Sequence, residues 1–320
     1  MTAPSAADAD APRLYAGSAA YARSGARPVL TIGNFDGVHR GHRHLLDAVR
    51  RRAAPQGAPV AVYTFDPPPR VVLAPQHHQP RICPWPDKIA LLGTAGVDHV
   101  VLERFTRAFA QHPPEWFADV VLGQRIQPRA IVVGYDFRFG RARSGTVELL
   151  RQRLPDTPIE QVEALELDGD IVSSSRIRRL VAAGAVGDAA ALLGRPHAIR
   201  GVVIPGDQRG RTIGFPTANL ELDAELVPPA GVYAVRARAD AGAWHPAVAN
   251  LGVRPTFDGG RFLVEVHLLD FRGDLYGAQM EVSFIERIRD ERRFNDPTAL
   301  TNQIRRDVAE ARDRLEARPR

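Results

Sequence analysis

The stretch Val29-Leu-Thr-Ile32 continues into Gly33-Asn-Phe-Asp-Gly-Val-His39-Arg-Gly-His42, and it decides the fold of the first half of the chain. An apolar strand runs into a glycine-rich loop, and residues 42–53 then have the pattern of a helix. A strand, a glycine loop and a helix in this order aim backbone N–H groups and a helix N-terminus at one point, which suits an anion. We therefore predict a phosphate-binding loop at the end of a strand.

Apolar runs separated by helical segments continue beyond this loop. The runs cover residues 60–65, 97–102 and 130–133, and a helix is predicted over residues 114–123. Short, continuous apolar strands with helices between them are typical of a parallel sheet that is covered on both faces. We predict a doubly wound α/β domain over residues 27–193, preceded by a partly ordered leader over residues 1–26.

The pattern changes near residue 193, where short strand candidates follow one another across Gly and Pro turns. These candidates are residues 201–204, 231–235, 245–249, 262–268 and 280–284. Evenly spaced strands with no helix between them are typical of an antiparallel barrel. In the tail, Leu300, Ile304, Val308 and Leu315 fall near one face of a charged helix. We predict a smaller antiparallel β-barrel domain over residues 194–320, with this C-terminal helix packed against it.

The composition limits the classes of protein to which the chain can belong. Its 44% hydrophobic and 25% charged residues are typical of a soluble globular protein. The opening residues contain acids and no apolar core, and no stretch avoids charge long enough to span a bilayer. We therefore expect a cytoplasmic protein with no membrane partner. The single cysteine, Cys83, excludes an internal disulfide framework.

The charge balance does not favour nucleic acid as a partner. The net charge is +5, but the 42 basic residues are interspersed with 37 acids, and aromatic residues make up only 7%. A nucleic-acid binder concentrates its charge in a stripe or tail with aromatics between. Polyphosphate substrates explain the excess equally well, and the sequence leaves a homo-oligomer open. Lys88 is the only lysine, which indicates a bias toward arginine.

His39 and His42 are the first candidates for catalysis. Three residues apart in the first turn of a helix, they share a face and can both donate to a phosphate. Gly41 between them removes a Cβ that would obstruct close approach. This arrangement suits nucleotidyl transfer, in which the enzyme aligns an incoming phosphate and stabilises charge at the α-phosphate of ATP. A metal site or two surface histidines are the alternatives, although a metalloprotease needs Glu where this chain has Arg40.

Two further strings support a nucleotide site. In Val172-Ser-Ser-Ser-Arg-Ile-Arg178 the serines can cap a helix, and its N-terminus together with the last arginine would grip phosphates. The string Gly134-Tyr-Asp-Phe-Arg-Phe-Gly140 follows an apolar strand, at the place where open parallel sheets bind ligands. Its aromatic residues can stack on a ring or belong to the core.

On these strings the first half resembles the adenylyltransferase module of the bacterial bifunctional riboflavin kinase/FAD synthetase (FMN adenylyltransferase) family. That module belongs to the broader histidine-x-glycine-histidine nucleotidyltransferases, and the resemblance continues into the family's riboflavin kinase module. It implies catalytic roles for His39 and His42. It implies ATP contacts for Gly33, Asn34, Phe35, Asp36, Gly41, Gly134, Asp136, Ser174, Ser175 and Arg178. It implies flavin contacts for Phe65, Asp66, Phe137 and Arg138.

In the second half Gly206-Asp-Gln-Arg-Gly-Arg-Thr-Ile-Gly214 leads into Phe-Pro-Thr217-Ala-Asn219. No P-loop string is present, but the glycine loop can cover phosphates with backbone donors. The neutral oxygens of Thr217 and Asn219 suit Mg²⁺ that is mostly coordinated by water and phosphates, and the resemblance assigns both residues that role. It implies ATP contacts in this half for Gly206, Gly210, Arg211, Gly214, Thr217 and Asn219.

Glu265, in Val264-Glu-Val-His-Leu-Leu-Asp-Phe271, corresponds to the family's catalytic base. That base accepts the proton of the flavin's ribityl 5′-hydroxyl as it attacks ATP. By its alternation with Val264 and Val266 alone, Glu265 would be a solvent-facing strand residue. The resemblance further implies flavin contacts in this half for Asn250, Arg289 and Phe294.

The chain departs from the family beside the adenylylation site. The family commonly has Thr-Phe-x-Pro-His-Pro, whereas this chain has Thr64-Phe-Asp-Pro-Pro-Pro69, so an imidazole is missing at Pro68. The resemblance implies an enzyme that phosphorylates riboflavin to FMN and then adenylylates FMN to FAD, with ATP and Mg²⁺ in both steps. Pro68 suggests one alternative, a riboflavin kinase with a weak or altered adenylyltransferase half. The other is a flavin- or nucleotide-binding regulator without turnover.

Overall fold

The computed structural model describes residues 11–77, 79–206, 214–254, 261–292, 294 and 296–318, and of residues 253, 254 and 261 it describes the backbone alone. Contacts divide the chain into two compact units. The first comprises Met1–Gln79 and Trp85–Val172, and the second comprises Pro80–Pro84 and Ser173–Arg320. The contacts therefore place the main boundary between the two units at residues 172 and 173, whereas the sequence predicts the domain boundary at residues 193 and 194.

The first unit is built on a six-stranded parallel sheet. Its strands are β1 (Arg13–Ala16), β2 (Val29–Ile32), β3 (Val60–Asp66), β4 (His99–Arg104), β5 (Ala130–Gly134) and β6 (Ile159–Val162). The order across the sheet is β1-β4-β3-β2-β5-β6, and the strands pair in parallel throughout. A separate antiparallel pair consists of β7 (Glu166–Leu167) and β8 (Asp170–Ile171).

The central strands of this sheet are buried on both faces. All four residues of β2 are buried. Leu30 and Ile32 enter one apolar core, while Val29 enters another. A strand that contacts a core on each side has no polar face, which explains its continuous apolar sequence. The predicted doubly wound α/β domain is confirmed.

Helices cover both faces of the sheet. They are α1 (Ser18–Ala22), α2 (Arg40–Ala53), α3 (Pro69–Leu73), α4 (Trp85–Thr94), α5 (Arg107–Ala110), α6 (Pro114–Trp116) with its π-helical continuation Phe117–Ile126, and α7 (Val147–Arg153). Short 3₁₀ turns cover Ala54–Gln56, Pro75–His77 and Arg141–Arg143. Both β1 and α1 lie within the stretch predicted as a partly ordered leader. Tyr21 is fully buried, and the backbone N–H of Ser18 donates to Glu103 at 2.9 Å, so this stretch is tied to the sheet.

The second unit contains a closed six-stranded antiparallel barrel. Its strands are β9 (His197–Ile204), β10 (Ala218–Leu222), β11 (Gly231–Ala239), β12 (His245–Arg254), β13 (Arg261–Leu268) and β14 (Gln279–Arg289). The order is β10-β13-β12-β11-β14-β9, and β9 pairs with β10 to close the barrel. The predicted barrel is confirmed, and each of the five strand candidates falls within a strand. The sequence did not single out β10, which has five residues and begins inside the Phe-Pro-Thr-Ala-Asn motif.

Three helices accompany the barrel in the described part of the second unit. They are α8 (Ser174–Ala182), α9 (Val186–Leu193) and α10 (Pro297–Ala317). Val186 packs in the barrel's own apolar core, which explains why α9 groups with the second unit. Ala311 and Leu315 pack against the outside of the barrel beside Ile285, as predicted for a C-terminal helix. In the described part of the chain, no helix combines the length and apolar character that crossing a membrane requires.

Candidate active sites

The glycine loop between β2 and α2 is tightly built around Phe35. This side chain is 1% exposed, and a Cβ at Gly33 would lie 3.1 Å from its ring. Phe35, Gly37 and Val38 adopt positive φ angles of 50°, 78° and 39°. Such a backbone is unfavourable for Phe and Val, and residues held in this way concentrate at functional sites. The loop therefore has the strained, enclosed geometry of a ligand-binding turn.

His39 and His42 form a stacked pair at the start of α2. Nδ1 of His39 caps the helix by accepting the backbone N–H of His42 at 3.3 Å. An accepting Nδ1 has no proton, so neutral His39 bears its proton on Nε2 and can donate from there. The ring centroids are 3.6 Å apart. A Cβ at Gly41 would lie 3.0 Å from the carbonyl oxygen of Val172 and 3.2 Å from the His39 ring, so glycine allows this close packing.

The surroundings of His42 favour its neutral form. Burial lowers the pKa of His42 well below its usual value, and the like charges of His39 and Lys88 lower it further. Its Nδ1 is buried and has no hydrogen-bond partner within the described residues. A buried polar atom of this kind is costly until a ligand or water engages it. Within those same residues, no group of three His, Cys, Asp or Glu side chains could hold a metal ion.

Lys88 of α4 is linked to the glycine loop through Thr64, although it belongs to none of the predicted motifs. Its ammonium donates to the Thr64 hydroxyl at 3.1 Å and lies 4.3 Å from the centroid of the Trp85 ring. The Thr64 hydroxyl in turn donates to the carbonyl of Asn34, in the glycine loop, at 3.4 Å. The signal that could have found it is compositional, because a chain rich in arginine retains lysine at this one position.

The carboxyl end of β3 adjoins that of β2 in the sheet. Phe65 packs against Phe105 with ring centroids 5.4 Å apart, so it is a half-buried part of the core. Asp66 ends the strand. Pro68, the position at which the resemblance leads us to expect His, then precedes α3 as its N-terminal flanking residue. The flavin contacts of Phe65 and Asp66 remain predictions.

The carboxyl end of β5 flanks β2 on its other side. Phe137 stacks on Phe139 with centroids 5.5 Å apart, and its backbone N–H donates to the Gly134 carbonyl at 3.1 Å. Asp136 and Arg138 are exposed. The predicted residues at the ends of β2, β3 and β5 thus share one edge of the sheet, as expected for a ligand site of a parallel sheet.

The predicted serines lie at the start of α8, which belongs to the second unit. Ser173 is the N-cap, because its hydroxyl accepts the backbone N–H three residues on at 3.3 Å. Ser174 and Ser175 occupy the first turn. The Nε of Arg178 donates to the carbonyl of Pro80 at 2.7 Å. The predicted serine cap is present, whereas the ATP contacts of this segment remain predictions.

In the barrel, Glu265 lies between two asparagines on neighbouring strands. The strand register places Asn219 of β10 and Asn250 of β12 directly opposite it. The Asn250 side chain donates to Glu265 Oε2 at 3.4 Å. Val264 and Val266 point into the apolar core, so Glu265 lies on the outer face of the barrel. The Glu265 carboxylate thus accepts from one asparagine amide and lies opposite a second asparagine on the other neighbouring strand.

Asn219 is covered by the start of the glycine loop of this half. It is 8% exposed, and a Cβ at Gly206 would lie 2.6 Å from its Cγ. Thr217 is exposed, and two residues before Asn219 it falls on the same side of an extended chain. Gly214 has a φ of 85°. Gly210 and Arg211 lie outside the described residues.

The donor set at this place fits Mg²⁺. A threonine hydroxyl and an asparagine amide beside a carboxylate are the hard, mostly neutral oxygens that suit a Mg²⁺ ion bound chiefly by water and phosphates. His267, two residues after Glu265 on β13, supports this segment. Its Nδ1 donates to the carbonyl of Pro216 at 2.8 Å, and its ring meets Phe215 edge-on with centroids 5.5 Å apart. The residue before Thr217 is thereby fixed to the strand that bears Glu265.

Arg289, predicted to contact flavin, is engaged by α10. Its guanidinium makes two hydrogen bonds to Asp307, at 2.9 and 2.6 Å. Asp307 is 3% exposed, so this is a buried ion pair. The guanidinium carbon also lies 5.9 Å from the centroid of the Phe294 ring. These contacts show what positions Arg289 and Phe294, and their flavin contacts remain predictions.

Comparisons with known proteins match each half of the chain to a different family model. A family model described as FAD synthetase matches residues 22–176, and one described as riboflavin kinase matches residues 193–315. A curated Escherichia coli K12 relative, a bifunctional riboflavin kinase/FMN adenylyltransferase, is 40% identical over 89% of this chain and 92% of its own length. A Bacillus subtilis relative of the same name is 39% identical over the same shares.

The fold also has a solved relative. A Streptococcus pneumoniae crystal structure described as a macrolide-efflux protein is 33% identical, with a TM-score of 0.84 over 90% of this chain and 94% of that one. The two family models and the curated relatives together span both units. The chain therefore belongs to the family of bifunctional riboflavin kinases/FMN adenylyltransferases.

Proposed function

We propose that this chain makes FAD from riboflavin in two ATP-dependent steps. The barrel transfers the γ-phosphate of ATP to riboflavin, giving FMN and ADP, and the first unit transfers the adenylyl group of a second ATP to FMN, giving FAD and pyrophosphate. The observation that supports this best is Glu265 flanked by Asn219 and Asn250 on a barrel that matches the riboflavin kinase model. A kinase in one unit and an adenylyltransferase in the other then share FMN.

In the kinase step, Glu265 acts as general base. Its carboxylate accepts the proton of the ribityl 5′-hydroxyl while that oxygen bonds to the γ-phosphorus and the bond to the ADP oxygen breaks. Asn250 donates to the same carboxylate and orients it. Thr217 and Asn219 would hold Mg²⁺, which supplies charge stabilisation for the phosphates when it is bound. Gly206, Gly210, Arg211 and Gly214 remain the predicted ATP contacts beside them.

In the adenylyl step, no strong base is needed, because the FMN phosphate is already a nucleophile. An FMN phosphate oxygen bonds to the α-phosphorus of ATP, and the bond to pyrophosphate breaks. Nε2 of His39 is a donor, and neutral His42 stacks beside it. Donors aimed at an α-phosphate stabilise the charge that develops there. The two histidines are therefore proposed to align and stabilise rather than to abstract a proton.

The comparisons favour the two-step reading over a kinase with a weak second half. The FAD synthetase model matches the complete stretch that contains the glycine loop, both histidines and Pro68. A regulator without turnover would have no use for a base flanked by two amides. We further propose that the enzyme works in the cytoplasm with riboflavin, FMN, ATP and Mg²⁺ as its small-molecule partners.

Two variants test the assignment of one reaction to each unit. Glu265→Gln keeps the shape of the side chain but removes the base, so FMN formation should stop while FAD formation from supplied FMN continues. His42→Ala should have the opposite effect. Flavins are separated by chromatography after incubation with ATP and Mg²⁺. If either variant, still folded by circular dichroism, lost both reactions together, two independent centres would be ruled out.

A further inference from the structure

Lys88 is unusual in both composition and position. It is the only lysine of a chain with 42 basic residues, and it is only 8% exposed in α4. Lysine is rarely buried, because removing an ammonium from water is costly unless it finds partners. Arginine is planar and larger, so it does not replace a compact ammonium in an enclosed site. The single lysine of the chain therefore lies at an enclosed position that accommodates a compact ammonium better than a guanidinium.

The contacts of Lys88 lead to the glycine loop. Its Nζ donates to the Thr64 hydroxyl at 3.1 Å, and that hydroxyl donates to the Asn34 carbonyl at 3.4 Å. Thr64 is fully buried near the end of β3. Because the hydroxyl has one proton, the ammonium that it accepts from directs that proton toward Asn34. α4 and β3 are thereby linked to the loop that precedes His39.

The charge of the Lys88 ammonium is a second feature of its position, since the hydroxyl that it contacts also contacts the glycine loop. Burial is the main cause of the lowered pKa of His42, and the charges of His39 and Lys88 lower it further. A charge in a partly dry site interacts more strongly than one at the surface. The polyphosphate of ATP, which bears several negative charges, would bind in the same field. This gives Lys88 two means of influencing the site, one through hydrogen bonds and one through charge.

We propose that Lys88 is a positioning residue for adenylyl transfer, which fixes the glycine loop through Thr64 and places its ammonium 3.1 Å from the hydroxyl that contacts this loop. The proposal rests on the proposed function of the first unit. It adds a residue that none of the sequence motifs includes. The relevant ligand is the triphosphate of ATP, since that is the group whose charge and position the loop and the ammonium would control.

One test uses the unchanged protein. Lysine labelled with ¹³C at the ε position gives a single side-chain signal, because the chain has one lysine. Adding a non-hydrolysable ATP analogue with Mg²⁺ should shift this signal, whereas riboflavin alone should leave it in place. An unmoved signal at saturating analogue, in a preparation that makes FAD, would overturn the proposal. A preparation that makes no FAD would instead count against the proposed function.

A second test uses variants of Lys88. Lys88→Met should lower kcat for FAD formation by about 100-fold, the usual effect of misplacing reacting groups by about 1 Å, with a smaller change in the KM for FMN. Lys88→Arg, which keeps the charge, should lower kcat for FAD formation as well. Riboflavin phosphorylation by the same polypeptide is the internal control, and Arg23→Met, at an exposed arginine, is the matched control for losing a charge.

The route through Thr64 is tested by combining substitutions. Thr64→Val removes the hydroxyl at nearly constant volume, so Lys88→Met should have a smaller effect on kcat in that background than in the wild type. Independent, multiplying effects would contradict action through Thr64. A fall in thermal stability with kcat unchanged in Lys88→Met would reduce Lys88 to a structural role and refute the proposal.

Discussion

Replacing Gly206 by alanine tests whether the position of Asn219 controls phosphoryl transfer. The added Cβ would lie 2.6 Å from Asn219 Cγ, whereas carbon atoms in ordinary contact are about 3.5 Å apart or more. The Cβ would lie still closer to the Asn219 amide nitrogen, so the amide must retreat, or the loop must lift, by at least about 1 Å. A misplacement of this size typically costs about 100-fold in rate, which corresponds to about 2.7 kcal/mol.

The assay compares two reactions of one polypeptide. Gly206→Ala should lower kcat/KM for riboflavin phosphorylation by about 100-fold, while FAD formation from supplied FMN stays at the wild-type rate. Gly187→Ala in α9 is the matched control, because its Cβ would meet the end of the flexible Arg318 side chain at 3.1 Å and the Ile285 carbonyl oxygen at an ordinary contact distance of 3.7 Å. Wild-type phosphorylation by folded Gly206→Ala would refute the reasoning that Asn219 must stay where the structure has it.

Three further predictions concern other parts of the two units. Burial lowers the pKa of His197 to about 4, whereas the unfolded chain binds this proton near 6.5. Neutral His197 therefore contributes fully to the free energy of unfolding above pH 6.5, and this contribution falls by about 3 kcal/mol as the pH drops to 4. The free energy of urea unfolding should lose this dependence on pH in a His197→Phe variant. An unchanged dependence would contradict the lowered pKa of His197. Gly41→Ala would place a Cβ 3.0 Å from the Val172 carbonyl oxygen and 3.2 Å from the His39 ring. FAD formation should slow about tenfold, less than the ~100-fold typical of a 1 Å misplacement, with FMN formation unchanged, so equal losses in both reactions would argue against a local effect. Asp307→Asn leaves the Arg289 guanidinium without its buried counter-charge and should destabilise the barrel by about 3 kcal/mol in urea unfolding, and an unchanged midpoint would show that the pair contributes nothing.

The sequence predicts the architecture well wherever a local pattern is strong. Continuous apolar runs identify the central parallel strands, because those strands contact a core on each face. The edge strand β1 is not predicted, since Arg13–Ala16 has only four residues and is largely exposed. What holds it is pairing with β4, more than 80 residues away along the chain. Such distant pairing leaves no local signal.

Site residues follow the same rule. Motifs single out the histidine pair and Glu265 as candidates, and the structure adds the strand register that places two asparagines opposite Glu265. Asp307 looks like part of a solvated helix face, yet it is buried against Arg289. Lys88 has no motif. Both depend on contacts between distant segments, which residue patterns do not encode.

The most direct test of the account is a time course of the wild-type protein with riboflavin, ATP and Mg²⁺, with riboflavin, FMN and FAD separated at each point. We expect FMN to appear first and FAD to follow at its expense, with one ATP consumed in each step. If FMN accumulated with no FAD even at excess ATP, the adenylyltransferase assignment of the first unit would be contradicted, and if no FMN formed, the kinase assignment of the barrel would be contradicted.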